Sequence, residues 1–290
     1  MDKRRQKGWV RQLSDVIYCG KHKLDLRKQT IIMGVLNATP DSFSDGGKYN
    51  HVEQAVERAK QLVAEGAHII DIGGESTRPG AEKVSLEEEL RRVIPIVEAV
   101  TKAVNVPISI DTYKAEVAKQ AIEAGATVIN DVWGAKADSN MAQVAAYYGV
   151  PIVLMHNRYD RHYKDLISDM INDLKESIDI VKQVGVKDEQ IIIDPGIGFA
   201  KTVEHNLEVM RRLDEFSVLG YPILLGTSRK SFIGHVLDLP VHERVEGTGA
   251  TVCLGIAKGA HIVRVHDVLP MARMAKMMDA MLGKGGEHAR

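Results

Sequence analysis

The stretch Ile31–Gly47, IIMGVLNATPDSFSDGG, runs as an apolar, β-rich segment and then breaks into Asn37, Thr39, Asp41, Ser42, Ser44 and Asp45. The apolar part predicts a buried strand bounded by a polar loop. Seven more short runs repeat the pattern: His68–Ile72, Pro107–Ile110, Thr127–Ile129, Pro151–Met155, Gln190–Ile193, Pro222–Leu225 and His261–Val265. Helical patterns lie between them. Val52, Ala55, Val56, Ala59, Leu62 and Val63 follow helical spacing up to Gly66, and Ser85 with Glu88 makes a capping box for a helix that carries Leu90, Val93 and Ile94 before Pro95 kinks it. Met271, Met274, Met278 and Met281 form a stripe that reads as core packing. Alternating strands and helices argue for a parallel sheet, and eight units without a composition shift predict a TIM (β/α)8 barrel. A doubly wound open sheet is the alternative, because periodicity does not show closure. Ahead of the first unit, DVIYCGKHKLDL alternates around Gly20-Lys21 and predicts a β-hairpin able to plug the barrel's bottom.

Composition agrees with a single large domain. The chain has 290 residues, 44% of them hydrophobic, and barrels of this class take roughly 250 residues. A formal net charge of −1 gives no field that would attract nucleic acid or an anionic membrane. No run reaches the roughly 20 apolar residues that span a bilayer, and the basic opening MDKRRQKGWV is followed by no apolar segment. Residues 1–14 therefore read as a basic flexible tail and 15–290 as one domain of a cytoplasmic protein. Cys19 and Cys253 have no metal-ligand spacing and read as reduced thiols.

Barrels place their chemistry at the carboxyl ends of the strands. In strand order these ends offer Asn37; Asp71 and then GGESTRPG; Asp111; Asn130-Asp131; His156-Asn157; Asp194; GTSRKS; and Arg264 with His266 and Asp267. One such residue is an ordinary cap or turn former. Eight converging on one face make a polar mouth that is costly to bury unless a ligand completes its hydrogen bonds. Asp111, Asn130 and Asp194 suit a flat heterocycle with amino, ring N–H and carbonyl edges. Arg229, Lys230, Arg264 and His266 come from the last two strands, where barrels often bind phosphate, so the ligand has a polar ring at one end and an anion at the other. GTSRKS lacks P-loop spacing, and His156 and His266 stand alone rather than paired along a helix, which disfavours zinc. His68 and His261 read as structural, and Asp71, between Ile70 and Ile72, as a hydrogen-bonding group of the barrel interior.

The segments MGVLNATPDSFSDGG, DIGGESTRPG, SIDTYK, VINDVWG, IIIDPGIGFAKT, LLGTSRKSFIG and RVHDV, in this order from Met33 to Val268, resemble the signatures of the dihydropteroate synthase family. Ala38 stands where that family more often has Val. The resemblance implies a transferase that joins 6-hydroxymethyl-7,8-dihydropterin diphosphate to 4-aminobenzoate in folate synthesis, with Mg²⁺ as cofactor and a homodimer as assembly, inhibited by sulfonamides that mimic the aminobenzoate. It implies that Asp194, Asn130, Asp111 and Lys230 bind the pterin edge, with Arg264 over the ring and Met155 beneath it. Asn37 would meet the metal, and Arg264 and His266 the diphosphate. Thr77, Arg78, Pro79, Phe199 and Ser231 would form the aminobenzoate site, with Asp45 and Arg78 pairing as the first loop closes. Diphosphate would leave first, the resulting cation being stabilised by carboxylates such as Asp111, so catalysis is electrostatic and needs no covalent nucleophile. A pterin-dependent methyltransferase would share the three ring-edge residues but has no need of STRPG or SRKS. A non-catalytic pterin-binding paralogue would be expected to lack Lys230 or Asp111, and both are present.

Overall fold

The computed structural model describes residues 15–38, 48–76 and 83–285. Each short apolar run is a strand, and eight lie in one parallel sheet: β3 (Ile31–Asn37), β4 (Ile69–Gly73), β5 (Ile108–Asp111), β6 (Val128–Asp131), β7 (Ile152–Met155), β8 (Ile191–Asp194), β9 (Leu224–Leu225) and β10 (Ile262–Val265). Their order is β8-β7-β6-β5-β4-β3-β10-β9. A bridge between Ile193 and Ile223, just ahead of β9, joins the two ends. The sheet is a barrel, not the open alternative.

The intervening helices are α1 (Lys48–Ala64), α2 (Leu86–Ala103), α3 (Ala115–Glu123), α4 (Met141–Tyr148), α5 (Leu166–Gln183), α6 (Val203–Arg211), α7 (Ser231–Leu237), α8 (Val245–Ala257) and α9 (Val268–Met281). Ser85 caps α2 by accepting from the Glu88 N–H at 3.2 Å, and α2 runs on through Pro95 to Ala103. Helix α7 is an extra short helix in the connection after β9. Of the methionine stripe, Met271 is buried and Met274 and Met278 pack against the core, whereas Met281 is exposed.

The hairpin is present as β1 (Val16–Cys19) and β2 (His22–Asp25), with Gly20 left-handed at φ 59° in its turn. Ile17, Cys19, Leu24 and Leu26 from the hairpin cluster with Ile31, Met33, Ile69, Val128, Val153, Ile192, Leu224 and Ile262. Those are the inward-facing residues near the amino ends of the strands, so the hairpin closes that end of the barrel with a dry apolar layer. The alternate, outward residues, such as Ile32, Ile70, Ile110, Ile129 and Val263, belong to a separate cluster shared with the helices. His68 and His261 are structural at this end: their Nδ1 atoms accept the N–H groups of Ile32 (2.9 Å) and Ile223 (3.2 Å). Burial lowers the pKa of both, His261 to about 4, which keeps them neutral acceptors. Cys19 and Cys253 are free thiols. No helix among the described residues is long and apolar enough to cross a membrane. The expected basic tail lies outside the described residues.

Candidate active site

Period-two alternation carries the inward face of each strand from an apolar residue to a polar one at its carboxyl end. On β10, Arg264 follows the inward Ile262 by two positions, and its guanidinium reaches across the barrel. Nε donates to Asp71 Oδ2 at 2.6 Å and Nη2 donates to Asp111 Oδ2 at 2.7 Å. Asn130 Nδ2 donates to the same Asp71 oxygen at 3.1 Å. Asp71, Asp111 and Asn130 are buried. The register aligns Gly73 with Asp111 and Asp111 with Asn130 across β4, β5 and β6.

Two carboxylates thus share one guanidinium, and their other oxygens, Asp71 Oδ1 and Asp111 Oδ1, are buried with no hydrogen-bond partner among the described residues. Burial raises the pKa of Asp111 to about 7; Arg264 opposes the rise, while Asp71, Glu89 and Asp131 reinforce it. Burial also works against the charge of Arg264, but the two carboxylates hold its pKa up. The cluster is short of positive charge and of donors, which is the state of a site prepared for a cationic or N–H-bearing ligand.

Asp194 ends β8 opposite Met155 of β7. Its Oδ1 accepts the Gly196 N–H at 2.7 Å. Burial raises its pKa, against the pull of Lys230, Lys201 and Arg264. Lys230 caps α7, donates to the Ile197 carbonyl and lies 4.6 Å from the centroid of the Phe199 ring. Burial lowers its pKa to about 8 in spite of Asp194. A Cβ at Gly198 would lie 2.9 Å from Lys230 Cδ, so the glycine makes room for this lysine. Ser231 opens α7 with an exposed side chain. His266 donates through its backbone N–H to Ser228 Oγ at 3.1 Å, and its Nδ1 is 2.9 Å from the same hydroxyl. Asp267 takes both ends of the Arg229 guanidinium, at 2.9 and 2.6 Å. That pair steadies the loop before α7.

Asp111, Asn130, Asp194, Lys230, Arg264, Met155 and Phe199 therefore gather at the carboxyl end of the barrel, with Asn37 exposed at the end of β3. Thr77, Arg78, Pro79 and Asp45 lie outside the described residues, as does the loop after Ala38. Asp71 is more central than its interior position suggested, since it is the second anchor of Arg264. Sequence reasoning missed Lys201 and Asp173, which flank His156: Lys201 Nζ is 3.0 Å from His156 Nδ1 and Asp173 Oδ2 is 3.0 Å from Nε2. A signal for Asp173 existed. It falls between Met170 and Leu174 and Ser177 on the buried face of α5, where a charge demands a partner. Nothing local marks Lys201 as buried.

With this geometry in place the comparisons are decisive. The chain matches the family described as pterin binding enzyme over residues 33–266. It is 63% identical to the dihydropteroate synthase of Bacillus subtilis (strain 168), over 95% of this chain and 96% of that one. The chain belongs to the dihydropteroate synthase family. A solved dihydropteroate synthase from Clostridium difficile, crystallised in the presence of pteroic acid, superposes with TM-score 0.87 at 52% identity, covering 89% of this chain and 98% of that one. One from Xanthomonas albilineans, with 4-aminobenzoic acid, gives TM-score 0.88 at 40% identity over 93% and 98%. The methyltransferase alternative loses its ground against relatives of this identity.

Proposed function

We propose that the carboxyl end of the barrel joins 6-hydroxymethyl-7,8-dihydropterin diphosphate to 4-aminobenzoate, giving 7,8-dihydropteroate and diphosphate. The observation that carries the site assignment is the Arg264 bridge, with the outer oxygens of Asp71 and Asp111 buried and unpartnered among the described residues. A dihydropterin ring offers the amino and N–H donors that such oxygens lack, and Asn130 and Asp194 extend the same edge. Lys230 donates to the carbonyl side of the ring. Met155, at the end of β7, packs under it and Arg264 lies over it.

The reaction then follows from charge. The bond between the exocyclic methylene and the diphosphate oxygen breaks, and positive charge spreads into the ring. Asp111, ionised, faces that charge, and a buried carboxylate acts strongly because little water screens it. The aminobenzoate nitrogen attacks the methylene, forms the new C–N bond and loses one proton, which the departed diphosphate takes up. Phe199 and Ser231, with Thr77, Arg78 and Pro79, hold the aminobenzoate. Arg264 and His266 meet the diphosphate, and the resemblance assigns to Asp45 and Arg78, which lie outside the described residues, the role of completing the second site.

Mg²⁺ fits the donor set as a cation carried in with the diphosphate. The described residues hold no group of three His, Cys, Asp or Glu side chains able to bind a metal. Mg²⁺ is commonly held by one or two protein oxygens together with phosphates and waters, and Asn37 is the residue that would supply one. Bound there, the ion would offset charge on the leaving diphosphate. The free thiols Cys19 and Cys253 support a cytoplasmic setting, and exposed Leu269, Met277 and Met281 on α9 support a homodimer.

The test is direct: purified protein with both substrates and Mg²⁺ should release diphosphate in step with dihydropteroate. Absence of both products rejects the reading.

A further inference from the structure

Residues 195–202 connect β8 to α6 and carry three left-handed residues in five positions: Gly196 (φ 66°), Gly198 (φ 85°) and Ala200 (φ 48°). Glycine adopts this conformation readily; Ala200 does so only where its surroundings over-determine it. Here the Gly196 N–H donates to Asp194 and the Gly198 N–H to Asn206 Oδ1 at 2.7 Å, while the Tyr163 hydroxyl donates to the Ala200 carbonyl at 2.9 Å. The Phe199 N–H donates to the Gly196 carbonyl at 3.1 Å, and one further side chain ties the two residues together. Lys201 folds back beneath the loop with only 5% of its surface exposed. Its Nζ lies 3.0 Å from the Gly196 carbonyl, 3.0 Å from the Phe199 carbonyl and 3.0 Å from His156 Nδ1.

An ammonium has three N–H donors and no lone pair. Burial lowers the pKa of Lys201 to about 7, against the pull of Asp194; below that pH it is an ammonium, three acceptors saturate it, and His156 Nδ1 must accept. The imidazole then carries its hydrogen on Nε2 and donates to Asp173 Oδ2 at 3.0 Å. Burial holds the pKa of His156 down to about 4, so the ring stays neutral and able to accept. Burial works against the charge of Asp173, but hydrogen bonds from His156 and Arg158 hold its pKa down, and Arg158 closes the chain through Nη2 to Asp173 Oδ1 at 3.1 Å. A buried cation with this many fixed partners is costly to assemble; removing it leaves the Gly196 carbonyl with only the Phe199 N–H at 3.1 Å and takes the Lys201 donor from the partly buried Phe199 carbonyl.

We propose that Lys201 is a positioning residue for the aminobenzoate half of the site. Anchored by His156 and, through it, by Asp173, its ammonium clamps the carbonyls of Gly196 and Phe199 and so fixes the wall that Phe199 offers to the second substrate. The inference rests on the functional reading above, which places 4-aminobenzoate against Phe199. The pterin edge depends on the clamp less: Asp111, Asn130 and Asp194 stand on strand ends set by the sheet register, and of the edge residues it is Lys230, through the Ile197 carbonyl, and Asp194, through the Gly196 N–H, that touch the loop.

Steady-state kinetics of Lys201→Met tests this. The KM for aminobenzoate should rise at least tenfold while the KM for the pterin diphosphate stays within threefold. Lys201→Gln, which restores two N–H donors, should recover part of the loss. An equal rise in both constants, as general loosening would give, overturns the proposal, and so does no rise in either. Should both variants fail to fold, the wild type decides: nitrogen-15 spectra at pH 6, below the pKa of Lys201 and above that of His156, should show His156 as the Nε2–H tautomer, and an Nδ1–H tautomer or an imidazolium overturns the clamp. A wild type that makes no dihydropteroate sinks the functional reading and this inference with it. An active wild type whose variants show no split sinks this inference alone.

Discussion

The two ends of the barrel are made by the same strands two residues apart. At the closed end β4, β6, β8 and β10 turn Ile69, Val128, Ile192 and Ile262 inward against the hairpin. One inward position later they present Asp71, Asn130, Asp194 and Arg264, all but Arg264 buried and Arg264 partly so. The first layer is held by apolar burial, which is favourable whatever else binds. The second is held by a guanidinium shared between two carboxylates, and burial of those charges opposes folding. One end therefore contributes stability and the other gives some of it up for binding and chemistry.

The largest expected effect lies at the polar end. Asp111→Asn should lower kcat by roughly 10²–10³-fold, the scale for loss of one preorganised electrostatic group, and Asp194→Ala and Lys230→Ala should each remove most activity without unfolding. Because burial raises the pKa of Asp111 from 3.8 to about 7, the folded state binds more protons than the unfolded state between those values. Stability then falls as pH rises through that window. Asp111→Asn should accordingly melt at the same temperature as the wild type, or higher, at pH 8. A variant that loses activity and melts far lower would make Asp111 a structural group and blur the contrast between the ends.

The reverse substitution belongs to the closed end. Met33→Ala, in the layer beneath the hairpin, should cost about 2–5 kcal/mol in denaturant unfolding while kcat of the folded enzyme stays within threefold. A large fall in kcat without lost stability would break the division of labour.

A smaller effect separates the ends by pH. Activity should decline below about 7 as Asp111 takes up a proton, and again above about 8 as Lys230 loses one. A kcat/KM profile flat from pH 5.5 to 9 would show that neither group titrates in the reaction. Smallest is His68→Ala, which leaves the Ile32 N–H without its 2.9 Å acceptor. It should cost about 1–3 kcal/mol and leave both KM values alone.

Much of this division was legible in the sequence. The eight strand runs and the polar residue after each follow from short apolar, β-rich segments bounded by polar loops, and the hairpin about Gly20-Lys21 from alternation; both signals are local. Closure was not legible, since it rests on a bridge between Ile193 and Ile223, just ahead of the two-residue strand β9; the run Pro222–Leu225 marks a strand but not its partner. The ring-edge residues were legible because strand ends must converge in a barrel. The partners that fix them were not. Asp71 pairs with Arg264 across 193 positions, and Lys201 reaches His156 across 45; no spacing rule spans such distances. The Asp45 and Arg78 pairing rests on the resemblance and falls outside the described residues.

The most direct measurement is a crystal structure with a pterin diphosphate bound. The account predicts the ring within hydrogen-bond distance of Asp111 Oδ1, Asn130 and Asp194, with Lys230 at its carbonyl edge and the diphosphate toward His266. A ring bound away from those four residues, with Asp111 Oδ1 still unpartnered, would contradict it.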